Sequence, residues 1–161
     1  MGWREECRAK CQRVKYIGEE IAWAEKPNHA GWLKGFSTLL DDRFVTIPGL
    51  HFEGVYESLS VGGEVFRYGL FDTHGRDRHR VFQIEVYPRY QISHREKGRQ
   101  VLGPHIHLGH KPPDAMVRPV LANLDAGQLK RWAYRFKRHA KISDSPRHAL
   151  VPPFHDGIFS K

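Results

Sequence analysis

Long apolar runs are missing from this 161-residue chain. Its longest uncharged stretches, such as Val45 to Leu50 and Val101 to Leu108, fall far short of the roughly 20 apolar residues a membrane span needs. No membrane span is expected, and no membrane partner. The first charges, Arg4-Glu5-Glu6, have no apolar segment behind them, so the N-terminus does not read as a secretory signal and the cytoplasm is the expected compartment. Cysteine is scarce as well. Cys7 and Cys11 cannot close a tetrahedral zinc site alone, and a four-residue helical spacing suits a disulfide poorly; both are expected as buried thiols in a reducing compartment. Acid is also short, with 18 Asp and Glu against 26 Lys and Arg, a net charge of +8. That balance points to an anionic partner, nucleic acid or an acidic protein.

Apolar and aromatic residues are present in quantity, 40% and 12%, which excludes a disordered body. At this length one domain is expected, with roughly 70% of the unfolded surface buried.

Apolar residues at positions 3, 7, 11, 14, 17, 21 and 24 predict an amphipathic helix from Trp3 to about Glu25, closed by Lys26-Pro27-Asn28. Trp32, Leu33, Phe36, Leu39 and Leu40 are spaced for a short second helix within residues 27–42. From Arg43 the period becomes two. The clearest hairpin is Glu64 to Phe71 returning as Arg80 to Tyr87 around Asp72-Thr73-His74-Gly75, with a third arm from Tyr90 to Ser93 and a charged loop at 94–99. Lys111-Pro112-Pro113-Asp114 breaks the strand that follows. Asp125, with Gln128 three residues on, imitates a capping box for a helix reaching about Lys141. The expected fold is α+β: an antiparallel β-meander of four to six strands from about residue 43 to 110, flanked by an N-terminal and a C-terminal helix. Residues 1–142 form this single domain, and 143–161, with Pro146, Pro152 and Pro153, form a tail without period.

In the C-terminal helix Leu129, Trp132, Ala133 and Phe136 make one apolar stripe. The other side is purely basic. Lys130, Arg131, Arg135, Lys137, Arg138 and Lys141 contribute +6 with no acid between residues 126 and 141, forgoing the opposite-charge pairs worth a few tenths of a kcal/mol each on a solvated helix. These six are the candidate contacts to RNA, DNA or an acidic protein, RNA ahead of DNA. No base-reading module is present. The N-terminal helix leaves homodimerisation open.

The most unusual segment is Val101 to His110. In an extended chain His105 and His107 share a face while Ile106 and Leu108 point to the core, with the imidazoles roughly 6.6 Å apart at their Cβ atoms, twice the rise of about 3.3 Å. One reading is metal-independent phosphodiester cleavage. His105 and His107 act as acid and base, Arg89 and Arg95 hold phosphate, Tyr87 or Tyr90 positions the substrate, and no cofactor is needed. In the metal reading His105 and His107 are two ligands, and a third comes from His110, His94, His79 or a carboxylate such as Glu85. The remaining reading has no catalysis, only a basic binding module.

Phe66-Arg67-Tyr68 and Pro104-His105-Ile106-His107-Leu108-Gly109 resemble an aromatic-Arg-Tyr strand and a His-rich segment of the TumE-like components of bacterial toxin-antitoxin pairs. The resemblance covers residues 64–110. It implies a growth-inhibiting protein acting on nucleic acid or translation, with an acidic antitoxin as partner; the paired imidazoles and the basic helix make a toxin-type ribonuclease the leading expectation.

Overall fold

The computed structural model describes residues 2–60, 63–96, 98–109, 116–119 and 128–154. Two helices and eleven strands follow one another as α1 (Trp3–Gln12), β1 (Lys15–Ile17), β2 (Ala24–Glu25), β3 (Trp32–Leu40), β4 (Thr46–Ser58), β5 (Glu64–His74), β6 (Asp77–Val86), β7 (Ile92–Glu96), β8 (Arg99–Leu102), β9 (His105–Leu108), β10 (Met116–Pro119), α2 (Leu129–Ala140) and β11 (Ile142–Ser143). The fold is α+β, with a helix near each end of an antiparallel-rich sheet. Nine strands share that sheet in the order β10-β9-β6-β5-β4-β3-β1-β11, with β2 attached to β3. Among the described residues only β1 and β11 run parallel. Strands β7 and β8 form a separate hairpin, so the region from 43 to 110 is a meander of β4, β5 and β6 that β9 rejoins after an excursion.

Helix α1 ends at Gln12, half-way through the predicted helix. Lys15 is fully buried and turns its ammonium back on the end of the helix, donating to the carbonyls of Lys10 at 2.6 Å, Cys11 at 3.4 Å and Arg13. Carbonyls that further helix would have used are thereby satisfied. Lys15 and Ile17 then point inward with Tyr16 between them, a strand's period. Both cysteines lie buried under α1 as free thiols, and burial pushes Cys7 up to about 12 and Cys11 to about 11, which keeps them protonated and inert.

Residues 32–40 are the strand β3 instead of a second helix. Gly35 lies opposite Gly54 of β4, and the Trp23 ring covers both. A Cβ on Gly35 would come within 3.1 Å of that ring, and one on Gly54 within 2.4 Å. The two glycines give the indole a flat seat, so pairing with β4 overrides a helical spacing that nothing else supports. Trp23 Nε1 donates to Val151 O at 2.9 Å. Leu150, Pro152 and Pro153 are buried, and Phe154 meets Tyr56 edge-on at 5.0 Å. The chain from Leu150 to Phe154 therefore packs on the same core.

The β5–β6 hairpin forms where the sequence places it, with longer arms and its turn at Gly75-Arg76. The apolar stripe of α2 also forms: Trp132, Ala133, Phe136 and Ala140 are buried, and Phe136 lies 5.6 Å from Phe52 and 6.0 Å from Tyr68 and from Phe82. Asp125, the predicted cap, falls outside the described residues, and Gln128 occupies the cap position. At the other end Lys141 sits in the left-handed region at φ 47, which costs an L-residue about 1 kcal/mol. Lys141→Gly is therefore expected to raise stability by about 0.5–1 kcal/mol, read from a urea midpoint; an unchanged or lower midpoint would show that the lysine stem repays the strain. No helix among the described residues is long and apolar enough to cross a membrane.

Candidate metal centre

Strand β9 pairs with β6 so that Glu85 faces His105 and Gln83 faces His107. Ile106 and Leu108 pack against the core, and alternation turns His105 and His107 to the sheet face away from α2. Both rings are sealed, at 0% and 3% exposure. Their Nε2 atoms are 2.8 Å apart, and Glu85 Oε2 lies 3.2 Å from the first and 3.8 Å from the second. His94, brought over from β7, completes the group: one ligand atom from each of the three histidines lies within 4.8 Å of the others. Its ring is 5.9 Å from that of His105 and 5.3 Å from that of His107.

Ser93 Oγ donates its hydrogen to Val101 O at 3.0 Å and lies 3.0 Å from His105 Nδ1, with Gly103 O a further 3.3 Å acceptor on the same nitrogen. With the serine hydrogen committed, Nδ1 is the donor in both contacts, and the Nε2 lone pair of the neutral ring faces the cluster. Burial lowers the His107 pKa, assisted by Arg80 and His105 and opposed by Glu85. Burial would raise the Glu85 carboxyl, but the imidazoles of His105 and His107 outweigh it and hold it well below the usual carboxylate range. Two imidazole nitrogens and a carboxylate oxygen therefore converge on one point, close enough for the rings to donate to Glu85 or for all three to ligate one cation.

The surroundings orient this set. Tyr87 stacks on His105 with ring centres 6.2 Å apart, and its hydroxyl accepts from Arg67 at 2.9 Å. Arg67 Nε stands 3.9 Å from Glu85 Oε1, the oxygen turned away from the histidines, and Arg67 also pairs with Glu57 at 3.4 Å. Such outer contacts fix ligand orientation.

Of the residues the sequence singles out, His105, His107 and Tyr87 are brought together, and among the four alternatives for a third ligand His94 and Glu85 join them. His79 lies elsewhere, 5.5 Å from the Trp3 ring, and His110 is outside the described residues. Arg89 and Tyr90 are exposed, Tyr90 at 86%. Arg95 follows His94 along β7 and is exposed. The two imidazoles thus face a sealed interior in place of an open hollow ringed by Arg89 and Arg95. The six basic residues of α2 lie beyond the sheet, since Phe136 touches the face opposite the histidines. Arg67 and Ser93 were not foreseen as site residues; alternation in the β5–β6 hairpin, which puts Arg67 opposite Glu85, was the available signal for the first, and none existed for the second.

No family model matches this chain. Neither a curated protein nor a solved structure matches it.

Proposed function

We propose that this protein holds one divalent transition-metal ion, zinc by preference, through His94, His105 and His107 with Glu85 as the fourth ligand. One observation carries the reading: His105 Nε2, His107 Nε2 and Glu85 Oε2 stand 2.8 to 3.8 Å from one another, and a ligand atom of His94 lies within 4.8 Å of those of both histidines. A tetrahedral zinc ion with bonds of about 2.0–2.1 Å spaces its ligands about 3.3 Å apart. Three imidazoles and a carboxylate suit zinc and also iron(II) or manganese, and disfavour copper(I). Three histidines lie within reach of one ion with Glu85 beside two of them, and because His94 belongs to the separate β7–β8 hairpin, the ion would staple that hairpin to β6 and β9.

A hydrolytic role is favoured by one contact, the 3.9 Å approach of Arg67 to the outer oxygen of Glu85. Drawn toward Arg67, Glu85 would leave the fourth position to water and stand beside it as a base.

Equilibrium dialysis of chelator-treated protein against micromolar zinc, followed by elemental analysis, tests the centre. One ion per chain is expected, and none in a His105→Ala/His107→Ala variant that keeps its far-ultraviolet dichroism. Zinc uptake by that variant equal to the parent's would overturn the reading.

A further inference from the structure

Helix α2 turns its apolar stripe to the sheet, and its outer side is a row of cations that, among the described residues, has one acidic partner. Lys130, Arg131, Arg138 and Lys141 are exposed, and among the described residues no acidic side chain pairs with any of them. Lys137 is the exception in this row, held by Asp144 at 2.7 Å. The crowding is felt by neighbouring groups: Lys141 adds to burial in lowering Lys15 to about 8, and Arg135 and Arg138 add to burial in lowering His139. A protein does not gain by concentrating like charge unless something anionic answers it.

Amid the cations stands an exposed aromatic ring. Tyr134 is 61% exposed, and the Arg138 guanidinium carbon lies 5.9 Å from its ring centre. Next to it runs a shallow groove with apolar walls from Val14 and Ile142 and a basic rim from Lys137, Arg138 and Lys141. From Lys130 to Lys141 the row extends about 16 Å along the helix. Cations tracking a backbone with a flat aromatic face between them are the elements by which unpaired bases are stacked and their phosphates neutralised. A duplex hides its base faces and leaves Tyr134 without a use; an acidic polypeptide answers the charge but not the ring.

We propose that the outer face of α2, with the groove at its C-terminal end, binds single-stranded nucleic acid. The surface lies across the sheet from the histidines, so this binding stands independently of the metal centre, and chelator-treated protein should bind as well as zinc-loaded protein.

Fluorescence anisotropy with labelled 12-nucleotide oligo(U) RNA, oligo(dT) DNA and a duplex of equal length tests this. Single strands are expected to bind, and four phosphate contacts at a log-log slope of about 0.7 each imply about a 50-fold loss of affinity between 50 and 200 mM salt. Arg131→Glu/Arg138→Glu should weaken binding at least tenfold and make the slope shallower by about 1.4, and Lys130→Gln/Lys141→Gln should reproduce the shallower slope without charge reversal. Tyr134→Ala should weaken binding about tenfold with the slope unchanged. Preference for either strand type supports the proposal and identifies the sugar. Absence of binding at 50 mM salt, equal affinity in the charge-reversal variant, tighter binding of the duplex, or tighter binding of a poly-glutamate peptide than of either oligonucleotide would each overturn it.

Discussion

Adding zinc to the chelator-treated protein at pH 7.5 is expected to raise its thermal midpoint by about 5–10 °C, and the gain is expected to vanish on acidification. A ligand bound only by the folded state stabilises it by about 2.7 kcal/mol at one hundred times its dissociation constant, and a chain of this size shifts by about 2–4 °C per kcal/mol. The pH dependence follows from the ligands. His107 is lowered from its ordinary value of 6.5, first by burial. Above that value folded and unfolded chains are both neutral at this site, and the lone pair is available to the ion. As pH falls below it, the unfolded chain takes up a proton that folded His107 resists, so stability is lost progressively down to the lowered folded value. Zinc is displaced over the same interval, because an imidazolium cannot ligate. Glu85 does not produce this transition: a depressed carboxylate contributes fully above its ordinary 4.5 and fails only in stronger acid. His139, also lowered by burial and by Arg135 and Arg138, contributes acid lability in the same direction whether or not zinc is present. His107→Ala separates the two, since it should abolish the zinc-dependent gain and leave the His139 share. Identical midpoints with and without zinc at pH 7.5 would show that no ion staples the β7–β8 hairpin to the sheet.

What the sequence discloses here is whatever is decided locally. The pairing of His105 with His107 follows from a two-residue period, and the inward stripe of α2 from a period of 3.6. The β5–β6 hairpin was legible from β-branched and aromatic arms around turn residues. The end of α1 was not. Its apolar spacing continues past Gln12, and the stop is made by one lysine that reaches back to carbonyls of Lys10, Cys11 and Arg13, a side-chain choice that leaves no periodic trace. Residues 32–40 misled for a related reason: the glycine seat for Trp23 requires Gly54, nineteen positions after Gly35, and a residue from neither strand. The candidate centre divides along the same line. Two ligands come from one strand and could be seen, whereas Glu85 comes from the strand alongside and His94 from a hairpin that leaves the sheet and returns over it. Each was one of several equal options until strand order put β9 beside β6.

Phe136→Ala is expected to cost about 3–5 kcal/mol, the largest loss from any single truncation proposed for this chain. The ring is fully buried and contacts aromatics from three strands, Phe52 of β4, Tyr68 of β5 and Phe82 of β6. Its removal would open a cavity between α2 and the sheet whose walls are held by paired strands and cannot collapse inward, which places the cost toward the upper end of that range. Two positions earlier on the same helix Tyr134 turns outward, and Tyr134→Ala should change stability by no more than about 0.5 kcal/mol. Guanidinium denaturation of the two variants side by side separates the roles of the helix's faces: one seats it on the sheet, the other is left for a partner. The neighbouring Tyr68 sharpens the comparison. Its hydroxyl is buried without a hydrogen-bond partner among the described residues, and burial raises its pKa beyond the ordinary tyrosine range. If the space left by Phe136→Ala admits a water to that hydroxyl, the cost falls toward 3 kcal/mol, and adding Tyr68→Phe to the variant should restore the larger figure. Equal and small losses for Phe136→Ala and Tyr134→Ala would mean that α2 is not anchored through its aromatic stripe, and the separation of a basic outer surface from a sealed histidine face would lose its structural basis.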